Sequence, residues 1–211
     1  MSRIYVYCEG TTEEQFVKTI LSPNLSSHGV TLIPVMSNLN ASHRDKGGVS
    51  NYARIRKEIT MLCRSHPNEH VTTMLDYYGF PFQQLEFLQS RMDCDSIEHA
   101  IEVDMGVRNL FFHFNLHEFE AVLFSDVTAF ARYGKDVMDD VEKVRMEYPN
   151  PEDINTGYYS CPSRRLEKMI RGYRKTGDGI LISKSIQLDK MRSECPHFNR
   201  WVATLTSISY R

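Results

Sequence analysis

A run rich in Ile, Val and Tyr, Arg3 to Cys8, breaks at Glu9-Gly10 and gives way at once to the amphipathic stretch TTEEQF. An apolar strand that turns so abruptly into a helix is half of a β-α-β unit, which commits the chain to a parallel α/β sheet. Thr11 and Glu14 fit a capping box at the helix start. The turn also carries chemistry, because Glu9 ends the strand and Glu13 stands in the first helical turn. Open α/β sheets bind ligands outside the carboxyl ends of their strands. Two acids flanking the turn would repel a bare phosphate, and a divalent cation between them would reverse that.

The same alternation continues. Strand-like segments at 3–8, 30–36, 71–75 and 109–115 are interleaved with helix-like segments at 12–21, 50–65 and about 95–104, which predicts a parallel sheet with helices on both faces. The polar stretch SNLNASHRDKGGVSNY reads as a loop at a strand carboxyl end, with Arg44 and Lys46 available for contacts, feeding a helix capped near Ser50 or Asn51. After about residue 118 the pattern turns helical: HEFEAVLFSDVTAF, an acidic stretch with Asp139, Asp140 and Glu142, RRLEKMIRGYRK after Pro162-Ser163, and two final helices split at Pro196. The expected fold class is therefore a parallel-sheet α/β domain, with residues 1–130 as the core and 131–211 as a mainly helical extension of one domain.

Composition narrows the function classes. With 211 residues and 41% hydrophobic content the chain can bury a core, and a formal net charge of -2 argues against holding nucleic acid by bulk electrostatics. Any phosphate-binding surface must be local. The odd, scattered cysteines (Cys8, Cys63, Cys94, Cys161, Cys195) form no CxxC pair, which predicts reduced thiols and a cytoplasmic protein. No apolar run reaches the roughly 18 residues that cross a bilayer, and the strand that begins almost at the N-terminus leaves no room for a signal peptide. No membrane association is expected.

Acids recur where the strands end. Asp76 follows the apolar run Val71 to Leu75, and NLFFHFN runs into His117, Glu118 and Glu120. A single Asp there is ordinarily a turn residue, and acids in a first helical turn are favoured by the helix dipole. Three strands ending in carboxylate is less ordinary. Parallel strands present these ends on one sheet edge, so Glu9, Glu13, Asp76 and either Glu118 or Glu120 are candidates to hold Mg²⁺ or Mn²⁺. Such a site suits metal-assisted phosphodiester chemistry. His117 beside the acids reads as a metal ligand, a general base or an orienter of Glu118, whereas His113 and His197 read as packing residues. Between 164 and 175, Arg164, Arg165, Lys168, Arg171, Arg174 and Lys175 face the single acid Glu167. This tract suits phosphate contacts, an acidic partner or simply a solvated helix face.

The segments CEGTTEEQF, LDYYGFP, LHEFEAVLF, SRRLEKMIRGYRK and CPHFNRW together resemble a bacterial domain-of-unknown-function family assigned to the Toprim-like group, over nearly the whole chain. Its nearest analogues are the Toprim domains of overcoming-lysogenization-defect (OLD) nucleases. The resemblance implies that Glu9 and Glu13 match an ExxxE pair and Asp76 the first acid of a DxD motif, whose second acid is replaced here by Tyr78. Glu120, or alternatively Glu118, matches the later acidic motif. Lys184 is the positional counterpart of a phosphate-stabilising lysine. The implied activity is a Mg²⁺- or Mn²⁺-dependent nuclease of phage-defence type, acting on nucleic acid and working with an ATPase subunit, since the chain has no Walker A motif of its own. The alternative implied by Tyr78 is a non-catalytic partner or regulatory subunit of an ATPase complex. Either role is compatible with an oligomer.

Overall fold

The computed structural model describes residues 2–37, 51–89, 91–154, 157 and 159–208. The loop residues Arg44 and Lys46, and Ser50 as a cap, lie outside the described residues. Strand β1 (Ser2–Cys8) runs parallel to β2 (Val30–Met36) on one side and to β3 (His70–Asp76) on the other. Two short strands, β4 (Leu110–Phe111) and β5 (Phe114–Asn115), pair in parallel with β3, giving the order β2-β1-β3-β4 with β5 also on β3. All carboxyl ends therefore fall on one edge.

Helix α1 (Thr11–Phe16) continues through a π-helical stretch (Val17–Leu21) into α2 (Ser22–Ser26). Helices α3 (Tyr52–Ser65) and α4 (Cys94–Met105) lie where the periodicity puts them, and Asn51 caps α3 by accepting the Arg54 N–H at 3.1 Å. The first turn differs by one residue from the expected capping box. Gly10 is the N-cap, and its N–H donates to Glu13 Oε2 at 3.0 Å, so Glu13 rather than Glu14 closes the turn.

The expected strand at 109–115 is interrupted at Phe112 and His113. Side chains take the backbone groups there instead of the sheet ladder. Thr73 Oγ1 donates to the His113 carbonyl and accepts its N–H, both at 2.7 Å, while Glu102 and Glu98 accept from Phe112 N–H at 2.6 Å and Phe114 N–H at 2.7 Å. After Glu118 two 3-10 segments, Phe119–Ser125 and Val127–Tyr133, replace the expected helix. Asp126 separates them by capping Thr128.

Each face of the sheet has its own core. Alternation along β1 sends Tyr7 toward α3 and α4, where it meets Ile55, Ile59, Val71, Leu75, Ile97, Ile101 and Phe114. Ile4, Val6 and Cys8 point the other way, into a larger cluster with Phe16, Met74 and Phe119. The later helices fill that second cluster: α5 (Lys135–Glu147) with Val141, α6 (Pro162–Met169) with Leu166, α7 (Ile180–Ser185) with Ile182, α8 (Leu188–Glu194) with Met191, and α9 (Pro196–Ser207) with Phe198 and Trp201. At about 1.5–3 kcal/mol for each large apolar side chain buried, these helices are integral to the sheet's stability. The RRLEKMIRGYRK helix ends at Met169, and Gly172 (φ +75°) turns the chain before a π-helical stretch, Lys175–Gly179, leads into α7. The apolar residues Ile180 to Ile182 are thus helical. Among the described residues no helix is long and apolar enough to cross a membrane.

Candidate metal centre

The parallel sheet brings four of the sequence-selected acids to its carboxyl edge. Glu9 leaves β1 by donating its N–H to the Met74 carbonyl (3.2 Å), and its Oε2 accepts the Asp76 N–H at 3.1 Å, which ties the ends of the two central strands together. Asp76 Oδ1 is held by Phe119 N–H at 2.9 Å and Asn115 Nδ2 at 3.1 Å, leaving Oδ2 directed at Lys175 Nζ, 3.1 Å away. The same ammonium lies 3.3 Å from Glu13 Oε1 and 3.4 Å from Glu120 Oε2. One lysine therefore faces three carboxylates.

Two of those carboxylates, Glu13 and Glu120, are poorly satisfied. Glu120 is 0% exposed, and neither of its oxygens has a hydrogen bond; Glu13 Oε1 has none either. Buried carboxylates without donors favour the protonated form. Burial pushes Glu120 up to about 7, with Lys175 opposing and the charges of Asp76 and Glu118 adding. Burial and then the Asp76 charge raise Glu9 to about 8. Glu13 is raised in the same way, by burial first. Burial acts to lower Lys175, but Asp76, Glu120 and Glu13 override it and hold the ammonium well above the usual lysine range. The edge carries more negative charge than one ammonium can balance. The oxygen-only donor type is that of a hard divalent cation, and in this structure the Lys175 ammonium takes the space between the acids.

Glu118, Lys184 and His117 are placed elsewhere. Glu118 accepts from Ser163 N–H at 2.9 Å and Ser163 Oγ at 3.0 Å, so it caps the first turn of α6. Lys184 stands on α7 and lines a separate cavity of about 500 Å³ with Asn24, Asp189 and Arg192. His117 adopts a left-handed backbone (φ 67°) and sets its ring edge-on to Tyr77 at 6.3 Å. Burial lowers the His117 ring, against the raising charges of Asp153 and Glu118. Tyr78, at the position of the second DxD acid, is 45% exposed. The cation among the acids is Lys175, which in the sequence belongs to the basic tract 164–175. The only signal for it was Gly172, which breaks that tract and separates Lys175 from the helix before it.

The family described as a domain of unknown function, DUF4276, matches residues 8–206. No curated protein matches the chain. Among solved structures, the C-terminal region of the Xanthomonas campestris pv. campestris OLD protein, in its mercury-phased form, is similar over 97% of this chain and 98% of that chain, with 15% identity and a TM-score of 0.42. Its platinum-phased form is similar over 96% and 95%, with 15% identity and a TM-score of 0.39.

Proposed function

This chain belongs to the DUF4276 family, and we propose that its carboxyl-edge site is that of a divalent-metal-dependent phosphodiesterase acting on nucleic acid. The observation that carries the reading is Glu120, a fully buried carboxylate with no hydrogen-bond donor, facing one ammonium shared with Glu13 and Asp76. Glu9, Glu13, Asp76 and Glu120 are the residues that would hold Mg²⁺ or Mn²⁺. A cation bound there supplies Lewis-acid polarisation of a phosphate oxygen and a more acidic water.

The chain's own residues supply the rest. Phe119 N–H and Asn115 fix the Asp76 carboxylate, so its second oxygen, which faces Lys175, is preorganised. Lys175 is the group positioned to offset charge on a phosphate once a cation relieves it of the acids. Arg171 and Arg174, both exposed, precede it in the sequence and suit backbone phosphate contacts. Cooperation with an ATPase subunit and a role in phage defence enter this proposal through the sequence resemblance alone.

The test is incubation of plasmid DNA and tRNA with the purified chain and Mg²⁺ or Mn²⁺, beside Asp76→Asn and Glu120→Gln. Metal-dependent cleavage lost in both variants is the expected result. Cleavage that persists in both, or that needs no metal, overturns it. A second reading, a non-catalytic subunit, has its own support in Lys175, whose ammonium already neutralises part of the acid cluster. Absence of cleavage under every metal condition and with an ATPase partner added favours that reading.

A further inference from the structure

A second group of donors, of different chemistry, lies between α4 and α9. Cys94 opens α4 and Glu98 follows at i+4, so both lie on one helix face. His197 reaches them from the first turn of α9. Cys94 Sγ is 3.8 Å from Glu98 Oε1 and 3.9 Å from His197 Nε2, and His197 Nε2 is 2.9 Å from Glu98 Oε1. Bonds of about 2.0–2.3 Å at tetrahedral angles separate zinc ligands by roughly 3.3–3.6 Å. Small side-chain adjustments reach that spacing.

The surroundings point the same way. His197 Nδ1 lies 3.0 Å from Asp95 Oδ1, and Arg200 Nη2 stands 3.1 Å from the same nitrogen while donating to that carboxylate. With Nδ1–H given to that carboxylate, Nε2 is free to exchange its hydrogen bond to Glu98 for a metal, the usual support of a metal-bound histidine. Cys94 is the one cysteine of the five that is not buried. His113 stacks against His197 at 4.9 Å and carries a buried Nε2 without a hydrogen-bond partner, while its Nδ1 lies 3.7 Å from Glu98 Oε1. Beside the group opens a cavity of about 180 Å³ lined by Glu98, His113, His197 and Trp201, with space for a water.

We propose that Cys94 Sγ, Glu98 Oε1 and His197 Nε2 bind a Zn²⁺ ion, with a water from this cavity in the fourth position. Thiolate and imidazole donors select zinc over Mg²⁺, so this centre is chemically separate from the acid edge. Coordination takes Cys94 as the thiolate, its proton passing to solvent. The ion joins α4, which packs on one face of the sheet, to α9, which packs on the other, around the short edge made by β4 and β5. It is a staple at the place where backbone pairing is thinnest.

Cobalt substitution tests this with little interference from the acid edge, whose one neighbouring thiol, Cys8, is buried and donates to the Val6 carbonyl. The full chain, stripped with a chelator, is titrated with Co²⁺ and followed by absorption. One equivalent of Co²⁺ giving a thiolate charge-transfer band, displaced by Zn²⁺ but not by excess Mg²⁺ and missing in Cys94→Ser, is the expected result. Asp95→Asn keeps the band and weakens Zn²⁺ about 10–100-fold. No band in the unsubstituted protein, or an unchanged band in Cys94→Ser, overturns the proposal. Should Cys94→Ser fail to fold, alkylation of the unsubstituted chain decides: Zn²⁺ protection of Cys94, read by mass spectrometry, supports the site, and unprotected labelling overturns it.

Discussion

The acid edge and the α4–α9 cluster both crowd ionisable side chains into a small space, yet their internal accounts differ. At the edge, Glu13 Oε1 and both oxygens of Glu120 accept no hydrogen bond, and Lys175 is shared among three carboxylates. At the cluster, Glu98 Oε1 takes Phe114 N–H at 2.7 Å and His197 at 2.9 Å, Asp95 takes Arg200 at 2.9 Å, and Glu152 takes the N–H groups of His197 and Phe198, each at 2.8 Å. The carboxylates of the cluster are satisfied as they stand, and those of the edge are not. Carboxylates by themselves therefore say little about metal binding; what distinguishes the edge is charge that the protein leaves uncompensated. Removing an acidic charge should help the metal-free fold at the edge and harm it at the cluster.

The largest effect belongs to Lys175. A preorganised charge-stabilising group is worth about 10²–10³ in rate, so Lys175→Met should lower metal-dependent cleavage by that factor in single-turnover assays. It should also destabilise the metal-free chain by about 1–3 kcal/mol, read from urea unfolding. That is less than a fully buried pair would lose, because the lysine side chain is 36% exposed. Unaltered cleavage would remove Lys175 from the chemistry and leave it a structural counterion.

At the cluster the sign is opposite to that expected for the unsatisfied acids. Glu98→Ala leaves Phe114 N–H and His197 without their acceptor, and should cost about 2–4 kcal/mol with no loss of cleavage. A neutral or stabilising result would show that the cluster is strained rather than satisfied.

This contrast also explains what the sequence could tell. Glu9, Glu13 and Asp76 were legible because each acid directly follows an apolar run or opens a helix, and a parallel sheet necessarily gathers its strand ends. Lys175 meets Asp76 across 99 residues, from a basic tract whose pattern looks like a solvated helix face. Only the turn at Gly172, which detaches it from α6, carries it to the edge. Cys94 and His197 lie 103 residues apart and meet only because α4 and α9 are brought together by the fold. The break in the edge strand was hidden because it depends on the Thr73 hydroxyl and on Glu98 and Glu102, reached from a different strand and a helix.

A smaller effect comes from pH. Glu120 and Glu9 sit at about 7 and about 8 in the fold, above the roughly 4.3 of a free Glu. The folded state then binds more protons than the unfolded state between these values, so stability falls as pH rises through that window. Thermal unfolding of the metal-free chain should shift down by several degrees from pH 5 to pH 8, and saturating Mg²⁺ should abolish most of the slope. Glu120→Gln removes one of the two contributions and should raise metal-free stability at pH 8 by about 1–3 kcal/mol. A flat profile would mean that the edge acids are already compensated.

The smallest effect separates two acids that stand two residues apart. Glu120 turns into the edge with no donor, whereas Glu118 spends both oxygens on Ser163 at the start of α6. Glu118→Gln keeps an acceptor for the Ser163 N–H and loses only the favourable charge at the helix N-terminus, worth about 0.3–1 kcal/mol. Cleavage should stay within about twofold of the unsubstituted chain, a change too small for the loss of a group that stabilises charge in the reaction. If Glu118→Gln instead abolished metal-dependent cleavage while Glu120→Gln did not, the metal-binding role would pass from Glu120 to Glu118, and the buried carboxylate would be a structural partner of Lys175.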